Sequence, residues 1–211
     1  MNTITNKQGK IKIFEAKGIA QIGVLSAIAT ILMLFEVPLW FAPSFYKVDL
    51  SELPVLIGSF AIGPMAGVII ELIKVLLNLL VNGTTTAGVG EAANFVIGCA
   101  MVVPAAIIYK MGKSKSSAII GLGTGTAVMT IVGSLMNAFI ILPVYAKAFN
   151  MPIAALIGMG SAINPAINSL SSFVLFAVAP FNLLKGVVVS IITILIYKKI
   201  SPILHNMMGK R

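Results

Sequence analysis

Residues 53–80 read LPVLIGSFAIGPMAGVIIELIKVLLNLL. The run is too long for one membrane span, which needs about 20 apolar residues. Gly63-Pro64 interrupts it, and a Gly-Pro step marks a turn. Whether the run is one tilted helix or two decides which side of a membrane every later segment reaches. Basic residues choose between the two, because Lys and Arg gather on the cytoplasmic side of membrane proteins. Lys7, Lys10, Lys12 and Lys17 precede the first apolar run, Lys110, Lys113 and Lys115 share one short connection, and Lys198, Lys199, Lys210 and Arg211 close the chain. A single helix puts the first cluster opposite the other two. Two helices turning at Gly63-Pro64 put all three on one side, with Lys47 and Lys147 outside and Lys74 and Lys185 within spans.

The sequence therefore predicts an all-α integral membrane protein with six transmembrane helices and both termini cytoplasmic. The helices fall at roughly 18–37, 52–62, 64–81, 90–110, 117–143 and 180–199, the second too short to cross fully. They form a single membrane domain over 18–199, with a cytoplasmic tail at 1–17 and a basic cytoplasmic tail at 200–211. The outer connections are 38–51, 82–89 and a long one, 144–179. The last holds MPIAALIGMG and SLSSFVLFAV, expected to lie at or dip into the outer interface. Structured outer loops over short inner turns point to a site that faces outward.

Composition agrees and excludes other classes. The chain of 211 residues is 58% hydrophobic and only 10% charged, too little charge to cover a soluble domain. Its apolar runs are continuous rather than alternating, which excludes an outer-membrane barrel. The net charge of +9 sits at span ends rather than in a basic face, so nucleic acid is not the partner; the lipid bilayer is. The single cysteine, Cys99, can form no disulfide within the chain. The single histidine, His205, has no metal-ligand company. The first apolar run has a long polar lead and no small-residue cleavage site, which argues against a cleaved leader. No Ser/His/Asp set, His pair or carboxylate dyad is present, so no enzyme and no resident cofactor are expected. No nucleotide-binding motif is present either, so a pump would draw its energy from a partner. The lack of an internal repeat disfavours an alternating-access carrier.

The second informative stretch is VAPFNLLKGVVVSIITILIYKK, residues 178–199, a span that carries Asn182 and Lys185. A charge inside a span costs roughly 3 kcal/mol or more and usually has a partner and a purpose. Proline suits a first helical turn, so the helix is expected to begin at Pro180. Lys185 then lies about 7 Å below the outer end, one turn from Asn182 and on its face. Other helices repeat that depth: Asn137 below Pro143, Glu91 and Asn94 at the start of the fourth helix, Lys74 and Asn78 on the third. Lys74 with Glu71 reads as a structural ion pair at i,i+3. Together the layer describes an outward-facing ligand pocket. The loop PLWFAPSFYKVDL, residues 38–50, adds aromatic walls and rigid prolines suited to a flat organic molecule. NGTTTAGVGE, residues 82–91, adds glycine flexibility and hydroxyls at the mouth; it is no phosphate loop.

Three segments carry a resemblance: FEVPLWFAPSFYKVDLSELPVLIGSFAIGPMAGVIIELIK, TTTAGVGEAANFVIG and APFNLLKGVVVS. They resemble the riboflavin-specific S components of energy-coupling-factor transporters, over about residues 20–199. The resemblance implies a six-helix subunit of the bacterial cell membrane that binds the vitamin at the outer face. It implies docking on a transmembrane coupling subunit that carries two cytoplasmic ATPase subunits. It places the site in the loop after the first helix (Trp40, Phe45, Tyr46, Lys47, Val48, Asp49) and at the outer ends of the fourth to sixth helices.

The isoalloxazine edge alternates acceptor, donor and acceptor, which Asn137, Asn182 and Lys185 could read. Trp40, Phe45 and Tyr46 would cover the ring. Glu91, Asn94 and the backbone around Thr86, Ala87 and Gly88 would suit the ribityl hydroxyls. Docking is expected on small residues of the first helix, Gly23, Ser26, Ala27 and Thr30, because small residues four apart let helices approach. Two other readings stay open: the same scaffold tuned to another vitamin or base, and an ion-coupled carrier using Glu91 and Lys185.

Overall fold

The computed structural model describes residue 13 and residues 15–43, 45–84 and 86–207. Lys7, Lys10, Lys12, Lys210 and Arg211 of the basic clusters lie outside the described residues. The chain forms α1 (Ala16–Met33), a two-strand hairpin β1 (Val37–Pro38) and β2 (Lys47–Val48), α2 (Glu52–Ala61), α3 (Pro64–Asn82) and α4 (Val89–Gly112). Then come α5 (Lys115–Met136), α6 (Leu142–Ala148), α7 (Ile153–Ser161), α8 (Leu170–Phe173) and α9 (Ala179–Met207). Among the described residues five helical segments are long and apolar enough to cross a membrane. The 53–80 run does break at Gly63-Pro64. Gly63 takes φ 137°, a conformation that strains any residue with a Cβ, and Pro64 opens α3 at its first position. The first half, α2, is ten residues long, about 15 Å, half a bilayer core.

Two boundaries differ from expectation, for one physical reason. The sequence predicts that Pro143 ends the fifth helix and that Pro180 starts the last. Instead, the chain stays helical through both. A π turn, Asn137–Ile141, precedes Pro143, and a second, Val174–Val178, precedes Pro180. A proline inside an α-helix removes one hydrogen bond and presses its ring on the carbonyl four residues back. A π turn widens the helix where that conflict would fall. SLSSFVLFAV is thus the start of the last span rather than an interfacial helix. Ser169 caps that start, its hydroxyl accepting from Ser172 N–H. The last helix continues to Met207, past the expected end at 199, and the first stops at Met33 rather than 37.

α4 and α5 make the most extensive pairing. Gly121 and Gly125 of α5 face the Ala105 and Met101 carbonyls of α4, where a Cβ would overlap backbone. The contact relies on small residues, the usual device where lipid removes the hydrophobic drive between helices. α9 also packs on α5, and the Thr126 and Ser190 hydroxyls meet between the two helices at 3.1 Å. α1 packs on α2 and α3. The shared core includes Val55, Leu56, Ile70, Met101, Leu122 and Met129. Outward faces carry Val24, Ile31, Leu80, Ile131 and Leu195, an exposed apolar girdle that suits lipid. A second apolar cluster, with Tyr46, Leu142, Leu156, Ile167, Phe173 and Phe181, sits at the end of the bundle where the hairpin and α7 pack.

Candidate functional site

A chain of buried charges organises that end of the molecule. Lys74 Nζ lies 2.6 Å from Glu71 Oε1 and 2.9 Å from Glu52 Oε1. Lys185 Nζ lies 3.0 Å from Asp49 Oδ2 and 4.0 Å from the same Glu52 oxygen. Lys74 and Glu71 are fully buried and Glu52 nearly so. Desolvating each ion costs several kcal/mol, so alternating the signs is what makes the burial tolerable. Glu52 gains further by standing in the first turn of α2, the positive end of its dipole. Gly98 of α4 makes the room: a Cβ there would overlap the Glu71 carboxylate. The Lys74–Glu71 pair expected from spacing is therefore one link of a longer network joining α3, α2, α9 and the loop after the hairpin.

Asp49 ties that loop down. Ser51 N–H donates to its other oxygen at 2.7 Å. Burial pushes the Asp49 carboxyl up, but the Lys185 and Lys74 ammoniums and the Ser51 contacts outweigh it and hold the group down at about 2. Asp49 is a fixed negative charge at any ordinary pH.

Beside this network opens a cavity of about 410 Å³. One wall is aromatic. Phe45 and Tyr46 ring centroids are 4.7 Å apart, Tyr46 and Phe181 5.0 Å, and Phe45 and Tyr145 5.9 Å. Burial and the neighbouring Tyr145 push the Tyr46 phenol above its ordinary value, so it stays a neutral donor. Polar groups complete the lining: Asn137 on the π turn after α5, Asn182 and Lys185 on α9, and Asn94 on α4. Lys185 has three donors and spends one on Asp49, so donors remain for a ligand. The Asn94 side-chain oxygen is buried without a hydrogen-bond partner among the described residues, an acceptor awaiting one.

The mouth is built by the α3–α4 connection and the rim of the hairpin. Thr84 Oγ1 accepts from Gly88 N–H at 2.9 Å and donates to Glu91 Oε2 at 3.1 Å. Thr86 Oγ1 accepts from Gly90 N–H at 3.0 Å. These bonds satisfy amides at the start of α4 that have no helical partner. Lys47 of β2 pairs at 2.8 Å with Glu36, just before β1, and both line the cavity.

Most residues expected from sequence meet on this cavity: Phe45, Tyr46, Lys47, Asp49, Thr86, Glu91, Asn94, Asn137, Asn182 and Lys185. Four do not. Trp40 is 89% exposed and rests edge-on against Phe41, because the hairpin carries it past the cavity rim. Val48 pairs with Val37 and packs on the second apolar cluster, since neighbours along a strand point to opposite faces. Ala87 (φ 52°) and Gly88 (φ 88°) form the turn into α4, off the wall.

The expected docking stripe on α1 also divides. Gly23 and Ala27 are exposed, whereas Ser26 and Thr30 are buried and bond the carbonyls of Ile22 and Ser26. Wall residues that sequence reasoning did not assign include Glu52, Tyr145, Phe149 and Phe181. Glu52 carried a signal, a carboxylate at the start of an apolar helix, and so did Phe181, beside Asn182. Tyr145 and Phe149 carried none while Pro143 was read as a stop.

The geometry has counterparts. A family model described as ECF transporter, substrate-specific component, matches residues 17–197. The riboflavin transporter RibU of Staphylococcus aureus (strain TCH60) is 37% identical over 201 residues, covering 95% of this chain and 99% of that protein. The riboflavin transporter FmnP of Bacillus subtilis (strain 168) is 32% identical over 189 residues, covering 89% and 94%. A solved structure, the S component of a bacterial ECF transporter, superposes with a TM-score of 0.69 at 37% identity, covering 92% of this chain and 98% of that one. Family and apolar helices together make this a multi-pass membrane protein, and a transport component rather than an enzyme. With the family model matching most of its length, the chain belongs to the substrate-specific components of ECF transporters.

Proposed function

We propose that the chain binds riboflavin at the outer membrane face and serves as the riboflavin-specific subunit of an ATP-driven uptake system. The observation that carries this is the cavity lining: aromatic rings together with two amides and an ammonium. A flat heterocycle with an alternating acceptor and donor edge is complementary to it. The volume of about 410 Å³ falls in the range of small-molecule sites, roughly 300–1,000 Å³. The relatives named riboflavin transporters support the same ligand. The flavin is cargo here, not a resident cofactor.

In a six-helix topology with both termini cytoplasmic, α2 and α3 together returning the chain to the outer side, the cavity faces outside. α4 has 24 residues, about 36 Å, and separates the mouth from the Lys110–Lys115 connection. A basic connection belongs inside, so the mouth belongs outside. The partners would be a transmembrane coupling subunit and two cytoplasmic ATPases, the first docking on the exposed small residues Gly23 and Ala27.

The test is a visible absorbance spectrum of the detergent-purified protein, before and after adding riboflavin and desalting. A retained flavin band is the expected result. A spectrum that stays clear after riboflavin is added would end the riboflavin reading and leave the transport subunit in search of another substrate.

A further inference from the structure

Both amides on the polar wall are held by groups outside the ligand. Asn137 Nδ2 donates to the Gly133 carbonyl at 2.8 Å. That carbonyl can only accept, so it fixes which end of the amide is nitrogen. The opposite end, Oδ1, then accepts from the Tyr46 hydroxyl at 2.7 Å, across 91 positions of sequence. Asn182 Nδ2 donates to the Val178 carbonyl at 3.0 Å, which fixes its amide in the same way. Val178 closes the second π turn and Asn137 opens the first. Gly133 also borders Asn182 directly. A Cβ on Gly133 would stand 2.9 Å from Cγ, Nδ2 and Oδ1 of that amide.

We propose that Tyr46 and Gly133 are positioning residues: together they orient the Asn137 and Asn182 amides and so set the pattern of donors and acceptors that the ligand meets. The inference rests on the riboflavin reading above for its ligand. Asn137 has one N–H occupied by Gly133 and one of its two oxygen lone pairs occupied by Tyr46, so it offers one donor and one remaining lone pair. Asn182 has one N–H occupied, so it offers an acceptor and a donor. The wall thus shows a fixed mixture rather than two amides free to flip. Tyr46 is buried against Phe45 and Phe181. Without the Tyr46 hydroxyl, the Asn137 oxygen is a buried acceptor that has lost a donor and the side chain has lost its second anchor, although the Gly133 carbonyl still fixes which end is nitrogen.

The experiment is a riboflavin titration by flavin fluorescence of wild type, Tyr46→Phe, Asn137→Ala and the double variant. Phenylalanine keeps the ring contacts, so folding is preserved. Tyr46→Phe is expected to raise Kd roughly tenfold, the loss of one hydrogen bond. In the Asn137→Ala background the same change is expected to alter Kd by less than about twofold, because the hydroxyl then has nothing to orient. The bound flavin band is also expected to shift in Tyr46→Phe, since the hydrogen bonds to the ring change; a packing role would leave it in place. Gly133→Ala, which drives a methyl into Asn182, is expected to weaken binding independently. An unchanged Kd in Tyr46→Phe, or the same factor in both backgrounds, would overturn the role of Tyr46. An unchanged Kd in Gly133→Ala would overturn that of Gly133. Wild type that fails to bind riboflavin would overturn both this inference and the reading it rests on.

Discussion

Replacing Lys185 by methionine perturbs stability and binding through different atoms, and the two effects separate. The ammonium is 3.0 Å from Asp49 and 4.0 Å from Glu52, and the side chain is buried. Methionine keeps the length of the stem and removes the charge. Asp49 would then be a buried carboxylate with only the Ser51 amide at 2.7 Å and the more distant Lys74 for support. Breaking one partner out of a buried ion pair costs about 3–5 kcal/mol. The Ser51 bond keeps part of the compensation, so about 3 kcal/mol of lost stability is expected, at the lower end of that range.

Binding loses something else, the charge-assisted donor on the cavity wall. That bond is worth about 1.5–3 kcal/mol, or about 10- to 150-fold in Kd. The double variant Lys185→Met with Asp49→Asn removes the orphaned charge and should recover most of the stability but little of the affinity. The assay is paired: the melting temperature of the ligand-free protein in detergent, and Kd by flavin fluorescence. Affinity in Lys185→Met equal to wild type would show that the ammonium does not touch the ligand. Affinity restored in the double variant would show that it serves only to neutralise Asp49.

Three further outcomes follow from the same geometry. Lys74→Met leaves Glu52 and Glu71 facing each other in the core without their shared cation, and should destabilise the fold by about 3–5 kcal/mol, seen as loss of the monodisperse peak in detergent; a near-wild-type melting temperature would contradict it. Trp40→Ala should change riboflavin Kd by less than about twofold, because the ring stands outside the cavity; a large loss in the same titration would mean that the loop closes over the ligand differently. The Asp49 carboxyl is held below its unfolded value, so its stabilising contribution is complete above about pH 4 and is lost only as pH falls toward about 2. Melting temperatures between pH 5 and 8 should therefore show no step that Asp49→Asn abolishes.

Much of this protein is written in short-range sequence features. Apolar run length gave the spans, because an apolar helix must match the bilayer. Charge bias and Gly63-Pro64 divided the 53–80 run into two helices, and the break lies where the residues place it. The polar layer was legible too, because Asn, Glu and Lys are costly inside spans, and most of its residues line the cavity. The prolines misled. Pro143 and Pro180 look like helix boundaries locally, yet π turns let both helices continue, and tertiary packing bears the cost of those turns.

The aromatic loop was read as a unit, but in the folded chain Tyr46 is buried while Trp40, in the same connection, stands exposed. Lys185 was visible as a charge needing a partner, while Asp49 and Glu52 as that partner were not, for 136 positions separate Lys185 from Asp49. Sequence determines which residues are too polar to be left alone in a membrane. Only the fold decides which of them meet, because a pairing of buried charges or amides depends on where distant helices cross, and no local pattern encodes that crossing.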